Sequence, residues 1–488
     1  TAMAEIIREA NTTLSLPDTL PVASGFRTEN ALDNLRFSNP IDLASPPGVK
    51  DRLFVIERRT GIQVVNLETM TKSSFITLNT YLSDEGRSLR IDGDNGVLSL
   101  TFHPNYNENG YFFVFYSFEI GSTIHQRVAR FTATGTPGNY DRAMTADPAT
   151  EFPLITQRDE RNNHQGSDME FGPDGYLYIS VGDEGQQRDG GDNARRIGKD
   201  FFGGILRIDV DHRAGSLPPN PHDESSTSTV GDSAVHEGAY AVPADNPFTD
   251  LKQSLFGGVR YNGYSVPKSQ VRTEFYAIGL RCVWRMSFDP LTGRLFAGDV
   301  GQDAYEEVNI ITNGFNGGWS WREGLHSHRP AVAPTDPPNG FDPVDPIFEY
   351  DHLNDDKGND GVIHGNSITG GVVYRGDRLP ELFGKYLFCD YTTGLIAALT
   401  EQPDGTWTGE RLATDNNICA FGYDPRNGDA LMCDLTSGEV KRLARSGTTG
   451  AEPPATLSAT GAFADLATLS PNPGIVAYEP NVAFWSDH

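Results

Sequence analysis

The chain holds 488 residues with 52 glycines, 31 prolines, 27 phenylalanines and 18 tyrosines, a composition of short strands and tight turns rather than of a helical bundle. Its formal net charge of -27 repels phosphate backbones and anionic headgroups, which argues against nucleic acid and membrane surfaces as partners, and no run is long and apolar enough to span a bilayer. Acidic loops suit Ca²⁺, although surface carboxylates also serve simply to keep a secreted protein soluble.

Residues 1–29 read as an N-terminal segment. From 30 to 445 one pattern recurs: proline, turn, glycine, a short apolar run, then Asp or Gly. It is seen from Pro104 to Tyr116, Pro173 to Asp183, Pro290 to Asp299 and Pro425 to Asp434. Further strands with a leading glycine start at Gly61, Gly204, Gly394 and Gly438, so each unit reads as a four-stranded antiparallel sheet. A repeat of this size predicts an all-β fold, a six-bladed β-propeller over 30–445, with innermost strands lining a central channel. A pair of β-sandwiches would not explain matched units more than a hundred residues apart. Two long insertions, 211–270 and 322–365, are expected outside the blades as loops that shape a substrate mouth or simply cross the surface. Residues 446–488, with Pro453-Pro454 and Pro471-Asn472-Pro473-Gly474, read as a linker tail leading toward a further domain.

The four cysteines (Cys282, Cys389, Cys419, Cys433) form no CxxC, so no zinc knuckle is encoded. Cys389 and Cys433 hold equivalent places before Asp390 and Asp434 and are candidates to pair across neighbouring repeats; buried free thiols are the alternative.

The repeat carries different chemistry in two of its copies. His164 and Arg281 each stand nine positions ahead of a proline, Pro173 and Pro290, and each following strand ends in Gly-Asp, at Asp183 and Asp299. Adjacent antiparallel strands would bring Asp183 against one imidazole nitrogen of His164, fixing its tautomer and raising the basicity of the other. Arg281 would project into the same channel. A base beside a fixed cation can remove a proton and stabilise the charge that forms. A hydrogen-bonded structural histidine is the plainer alternative.

The run Asn163-His164-Gln165-Gly166 to Gly182-Asp183, followed by Gly279-Leu280-Arg281, Gly301, Glu307-Val308-Asn309 and Gly318-Trp319, resembles the soluble quinoprotein glucose/sorbosone dehydrogenase family. Supporting matches are Asp94-Asn95-Gly96 with His103-Pro104, Asp245-Asn246-Pro247-Phe248 and Thr369-Gly370-Gly371. The resemblance implies a six-bladed propeller that binds pyrroloquinoline quinone (PQQ) over the channel with Ca²⁺ and oxidises a sugar hydroxyl. It implies His164 as general base, Asp183 as its orienting partner and Arg281 as the cation on the quinone oxygens. Asp94, Gln165, Cys282 and Thr393 fall at cofactor contacts, and Gly301 and Gln302 at carbonyls holding the cofactor-linked Ca²⁺. Glu307 and Gly317 fall near a second, structural Ca²⁺. The resemblance further implies a secreted or periplasmic protein, a sugar or related alcohol as substrate, and a cytochrome or other electron acceptor.

The chain departs from that pattern in carrying Cys282 beside the arginine and Val300 in the following turn. The stretches around Thr393 and Asn417-Ile418-Cys419 offer none of the basic residues that a tricarboxylate requires. A propeller of the same frame that binds a protein or glycan without catalysis is therefore the alternative function.

Overall fold

The computed structural model describes residues 25–221, 234–235, 238–253, 258–352 and 363–446, and the backbone of two short strands, Phe463–Asp465 and Ser470–Pro471. Six sheets follow one another along the chain, antiparallel except for the parallel pairing of Phe275–Ile278 with Phe315–Asn316 at the edge of the third. Their innermost strands are Pro40–Ala44, Val97–Phe102, Gly166–Phe171, Val283–Phe288, Ile368–Val373 and Ile418–Tyr423, and each packs on the next, the last on the first. This is the expected six-bladed propeller. The last blade is completed by an outer strand from the other end of the chain, Phe26–Asn30, where Ala31 N–H donates to Val440 O and Arg442 pairs with Glu29 at 2.9 Å. Closing the ring with both chain ends removes the open edge that a linear row of sheets would leave.

Aromatic side chains weld the blades. Phe54 of the first blade meets Phe102 of the second edge-on at 4.8 Å, and Phe75 lies a further 4.8 Å from Phe54. Such contacts between large buried rings add roughly 0.5–1.5 kcal/mol each beyond the area they bury.

One irregularity repeats in every blade. The pairing of the innermost strand with the second shifts register at Pro40/Asp42, Val97/Ser99, Gly166/Met169, Val283/Arg285, Ile368/Gly370 and Ile418/Ala420. A bulge bends a strand and re-aims its side chains. Here it follows the leading turn of each inner strand, so the residues before it face one mouth of the channel and those after it form the waist.

The waist is closed by Arg285, which is 2% exposed. Its guanidinium donates to Ile41 O at 2.6 Å, Leu98 O at 3.0 Å and Trp284 O at 3.3 Å, and approaches Asp168 at 3.7 Å, touching four blades. Beyond it a cavity of about 620 Å³ opens at the far ends of the inner strands, lined by Asp42, Asp168 and Glu170 and by no histidine. The larger cavity is therefore not the one that holds the candidate chemistry.

The structure corrects several expectations. Thr28 and Glu29 belong to the last blade rather than to a separate leading segment. The insertion 322–365 does not lie wholly outside the blades, since Phe348–Asp351 is the outer strand of the fourth; an edge strand half open to solvent has no apolar run to betray it. In the insertion 211–270, Ala234–Val235 extends the edge of the second blade. All four cysteines are free and buried, and Cys389 Sγ faces Ile418 O at 3.3 Å rather than Cys433. The chain divides into a compact body, Thr28–Ala444, and a unit made of Thr1–Arg27 with Arg445–His488. Within that second unit Phe463–Asp465 pairs antiparallel with Ser470–Pro471; most of the expected tail lies outside the described residues.

Burial pushes the Asp42 carboxyl up to about 7; Arg285 opposes that push and Asp168 adds to it. A carboxyl raised in the folded state favours folding most below its ordinary range, and that contribution is lost as pH rises through about 7. Arg285→Met leaves the two carboxyls without a cation and is expected to destabilise the fold by about 3–5 kcal/mol. Urea unfolding at pH 5 and pH 8 checks this: the loss is larger at pH 8, above the value of about 7 to which the Asp42 carboxyl is raised.

Candidate active site

The six inner strands run the same way around the channel, so their leading turns meet at one mouth. Arg58, Asp94, His164, Arg281, Thr369 and Leu435, one from each blade or the turn leading into it, line a cavity of about 520 Å³ together with Trp284 and Tyr391.

In the fourth and fifth blades the leading turn is held by the carboxylate that ends the second strand. In the fourth blade Asp299 accepts the backbone N–H groups of Arg281 at 2.9 Å and Cys282 at 2.6 Å. In the fifth, Asp390 accepts those of Asn366 at 2.9 Å and Ser367 at 2.7 Å. The third blade has the same carboxylate with a different partner. Asp183 Oδ1 lies 2.7 Å from His164 Nδ1 and accepts Gly185 N–H at 2.9 Å, while Asp183 Oδ2 accepts the indole N–H of Trp319 at 2.8 Å.

The backbone explains the exchange. His164 has φ +59° and Gly166 φ +65°, and a Cβ at Gly166 would lie 2.7 Å from Gly182 N. The turn thus folds tightly over the second strand and brings the ring, in place of an amide, against Asp183. The other wall comes from the first-to-second blade connection, where Asp94 Oδ2 accepts His164 N–H at 2.7 Å.

Asp183 is fully buried, and burial alone would push its carboxyl up. The hydrogen bond from His164, the charges of His164 and Arg281, and Gly185 N–H more than reverse that push and hold it below the ordinary carboxylate range. An ionised Asp183 requires a donor at Nδ1, which leaves Nε2 of the neutral imidazole as the acceptor. The ring keeps 15% of its side-chain surface open and lines the cavity.

Arg281 Nη1 donates to Val300 O at 2.9 Å and its guanidinium lies 5.7 Å over the Trp319 ring, while its Nε is buried without a partner. Neither Arg281 nor Arg58 makes an ion pair among the described residues. Other buried arginines do: Arg127 with Glu151 at 2.7 Å, Arg195 with Asp192 at 2.7 Å and Arg207 with Asp174 at 2.8 Å. Two half-buried guanidiniums without carboxylate partners, in a chain of net charge -27, carry a charge that an anionic ligand would offset. Gln302 Nε2, in the same wall, is also buried without a partner.

The remaining sequence candidates divide. Asp94, Cys282, Gly301 and Gln302 line the cavity. Burial pushes the Cys282 thiol well up, so it stands there as a neutral group. Gln165 and Thr393 do not face the cavity. Gln165 turns into the sheet interior and accepts from Gln126, because the residue after the left-handed His164 points the other way. Thr393 caps the turn after the fifth blade's second strand, its Oγ1 donating to Asp390 Oδ1 at 3.0 Å, and Tyr391 takes the wall position. Glu307 lies inside the fourth blade opposite Asp299 and accepts from Asn309 Nδ2 at 3.2 Å, and Gly317 N–H donates to Ile278 O at 3.1 Å. Among the described residues no group of three or more His, Cys, Asp or Glu side chains could hold a metal ion.

Sequence reasoning missed Arg58, Trp284 and Tyr391 and assigned no role to Trp319. Arg58 follows a second strand, Arg52–Glu57, rather than leading an inner one, so its place in the repeat did not mark it.

Residues 37–232 and 240–417 match the family described as Glucose / Sorbosone dehydrogenase. The HIPL1 protein of Arabidopsis thaliana is 29% identical over 412 residues, 73% of this chain and 54% of that protein. The Hedgehog-interacting protein of Mus musculus is 29% identical over 379 residues, 76% of this chain and 44% of that protein. The chain spans about half the length of these curated relatives. The PQQ-bound form of Aldose Sugar Dehydrogenase from Streptomyces coelicolor shares the fold, with a TM-score of 0.52 at 17% identity over 87% of this chain and 100% of that one. The family match takes in every blade that walls the cavity except the last, and on it the chain belongs to the Glucose / Sorbosone dehydrogenase family.

Proposed function

We propose that the chain is a quinoprotein oxidoreductase that binds PQQ with Ca²⁺ at this mouth and oxidises a hydroxyl of a sugar or related alcohol, as an aldose dehydrogenase does. The observation that carries the reading is the 2.7 Å contact between His164 and the buried Asp183, in a cavity shared with two guanidiniums that lack carboxylate partners. Those cations, with Arg281 Nε and Gln302 Nε2 left without partners, fit a planar polycarboxylate quinone.

Bound there, PQQ supplies the two-electron acceptor for the hydride leaving the substrate carbon. His164 Nε2 takes the hydroxyl proton, and Asp183 holds the tautomer and stabilises the imidazolium that results. Arg281 sets positive charge where the acceptor gains electrons. Asp94 pins the backbone of the base, Trp319 saturates Asp183, and Trp284 and Tyr391 offer aromatic surface to a planar ligand. The carbonyls of Gly301 and Gln302 would be the protein oxygens for a Ca²⁺ at the ligand, and Glu307 with the backbone near Gly317 would serve a second, structural ion. The same reading includes a secreted or periplasmic setting and an external electron acceptor such as a cytochrome.

A second reading is a propeller that grips a protein or glycan without catalysis. The observation favouring it is the similarity to a protein named for its interaction with Hedgehog.

Titration of the protein with PQQ and CaCl₂, followed by absorbance and by dye reduction with a panel of aldoses, separates the two. The oxidoreductase reading expects a bound-cofactor spectrum and turnover; a folded protein with neither supports the second reading instead. His164→Ala is expected to keep PQQ binding and to lose roughly 10²–10⁴-fold in kcat. Trp319→Phe leaves Asp183 one donor short in a buried site, so the carboxyl holds its proton more readily. The acid limb of the pH–kcat profile is then expected to move to higher pH with PQQ affinity unchanged.

A further inference from the structure

We infer that Arg58 of the first blade supplies the carboxylate-binding charge that the last two blades lack, so that the ligand lies between two opposed guanidiniums. The inference rests on the quinoprotein reading and concerns how this chain meets the acidic end of that ligand.

Arg58 and Arg281 line the same cavity, and their blades, first and fourth, stand opposite each other in a ring of six. Ring closure makes the first blade the neighbour of the sixth. Arg58 shares the mouth with Tyr391 and Leu435, which belong to the two blades whose own turns carry no base there, and its charge is felt at Tyr391.

The arginine is held in place. Its Nε donates to Asn95 O at 2.7 Å, and its Nη2 reaches Gly93 O and, at 3.5 Å, Ile91 O, all carbonyls of the connection into the second blade. Its own carbonyl accepts Val97 N–H at 2.9 Å. Gly96, at φ +152°, leaves the path for this side chain: a Cβ there would lie 2.5 Å from Arg58 Cγ and 2.9 Å from Arg58 O. The guanidinium is thus aligned before any ligand arrives, and less side-chain freedom is lost on binding.

The arginine is also uncompensated. It makes no ion pair among the described residues, and Nη1 has no hydrogen-bond partner there. The carboxylate it senses most is Asp94, whose Oδ2 is committed to His164 N–H. Partial burial pulls the guanidinium down from its ordinary value, and the charge of Asp94 offsets only part of that. Its neighbour Arg59 is exposed and does not line the cavity, which makes it an internal control.

The test is equilibrium titration of Ca²⁺-supplied protein with PQQ, read by quenching of tryptophan fluorescence, using wild type, Arg58→Ala, Arg58→Lys and Arg59→Ala, each checked for folding by circular dichroism. Arg58→Ala is expected to weaken PQQ about 10- to 100-fold, Arg58→Lys to recover part of that loss, and Arg59→Ala to bind as wild type. PQQ trimethyl ester is expected to bind wild type weakly and to lose nothing further in Arg58→Ala, since the charge that Arg58 reads is already gone. Equal PQQ affinity in wild type and Arg58→Ala or, should Arg58→Ala not fold, in wild type and Arg58→Lys overturns the role of Arg58 and leaves the quinoprotein reading standing. A folded wild-type protein that binds no PQQ overturns both.

Discussion

The carboxylate that ends the second strand of a blade is the contact on which the site depends. In the fourth and fifth blades Asp299 and Asp390 spend it on backbone amides, which fixes how the inner strand enters the ring. In the third blade Asp183 spends it on an imidazole and an indole. The candidate active centre is thus the propeller's own structural joint with one partner exchanged. The exchange is possible because the left-handed turn at His164 and the absence of a Cβ at Gly166 let the ring reach the acid.

Charge is arranged around that joint in two tiers. At the waist, Arg285 is surrounded by carbonyls and faces Asp168, so the cation is used up by the fold. At the mouth, Arg58 and Arg281 are tied only to neutral carbonyls, so their charge stays available. An arginine bound to carbonyls alone keeps its full field, and in a partly dry cavity that field is much stronger than it would be in water. The same residue type thus seals the channel in one layer and keeps a charge without a carboxylate partner in the next. The bulge present in every inner strand separates the layers.

Seen this way, the departures from the family pattern are less severe than the sequence suggests. Cys282 stands in the wall as a neutral, buried thiol whose backbone N–H serves Asp299, so the turn is kept although the side chain has changed. Lys441, a basic residue of the last blade, is bound to Asp415 at 2.7 Å and Asp434 at 2.8 Å and does not line the cavity. The last blade has a cation, but it is already neutralised, while the first blade presents one without a carboxylate partner.

Local periodicity was enough to establish the ring and its central pair. Strand alternation and turn residues repeat along the chain, and His164 and Asp183 lie on strands joined by a short turn, so their meeting needs only correct hairpin pairing. What depended on distant segments was not legible. Trp319 reaches Asp183 across 136 positions of sequence, and Arg58 owes its place to a glycine in the next blade. The direction in which Gln165 turns follows from one positive φ, and the outer strands Phe26–Asn30 and Phe348–Asp351 become strands only because a blade edge is there to receive them. The sequence alone therefore determined the repeating unit and the meeting of His164 with Asp183, because hydrophobic period and hairpin register are local. Tertiary structure decided which charges remain unpaired, because that depends on which side chains the closed ring brings within reach of one another.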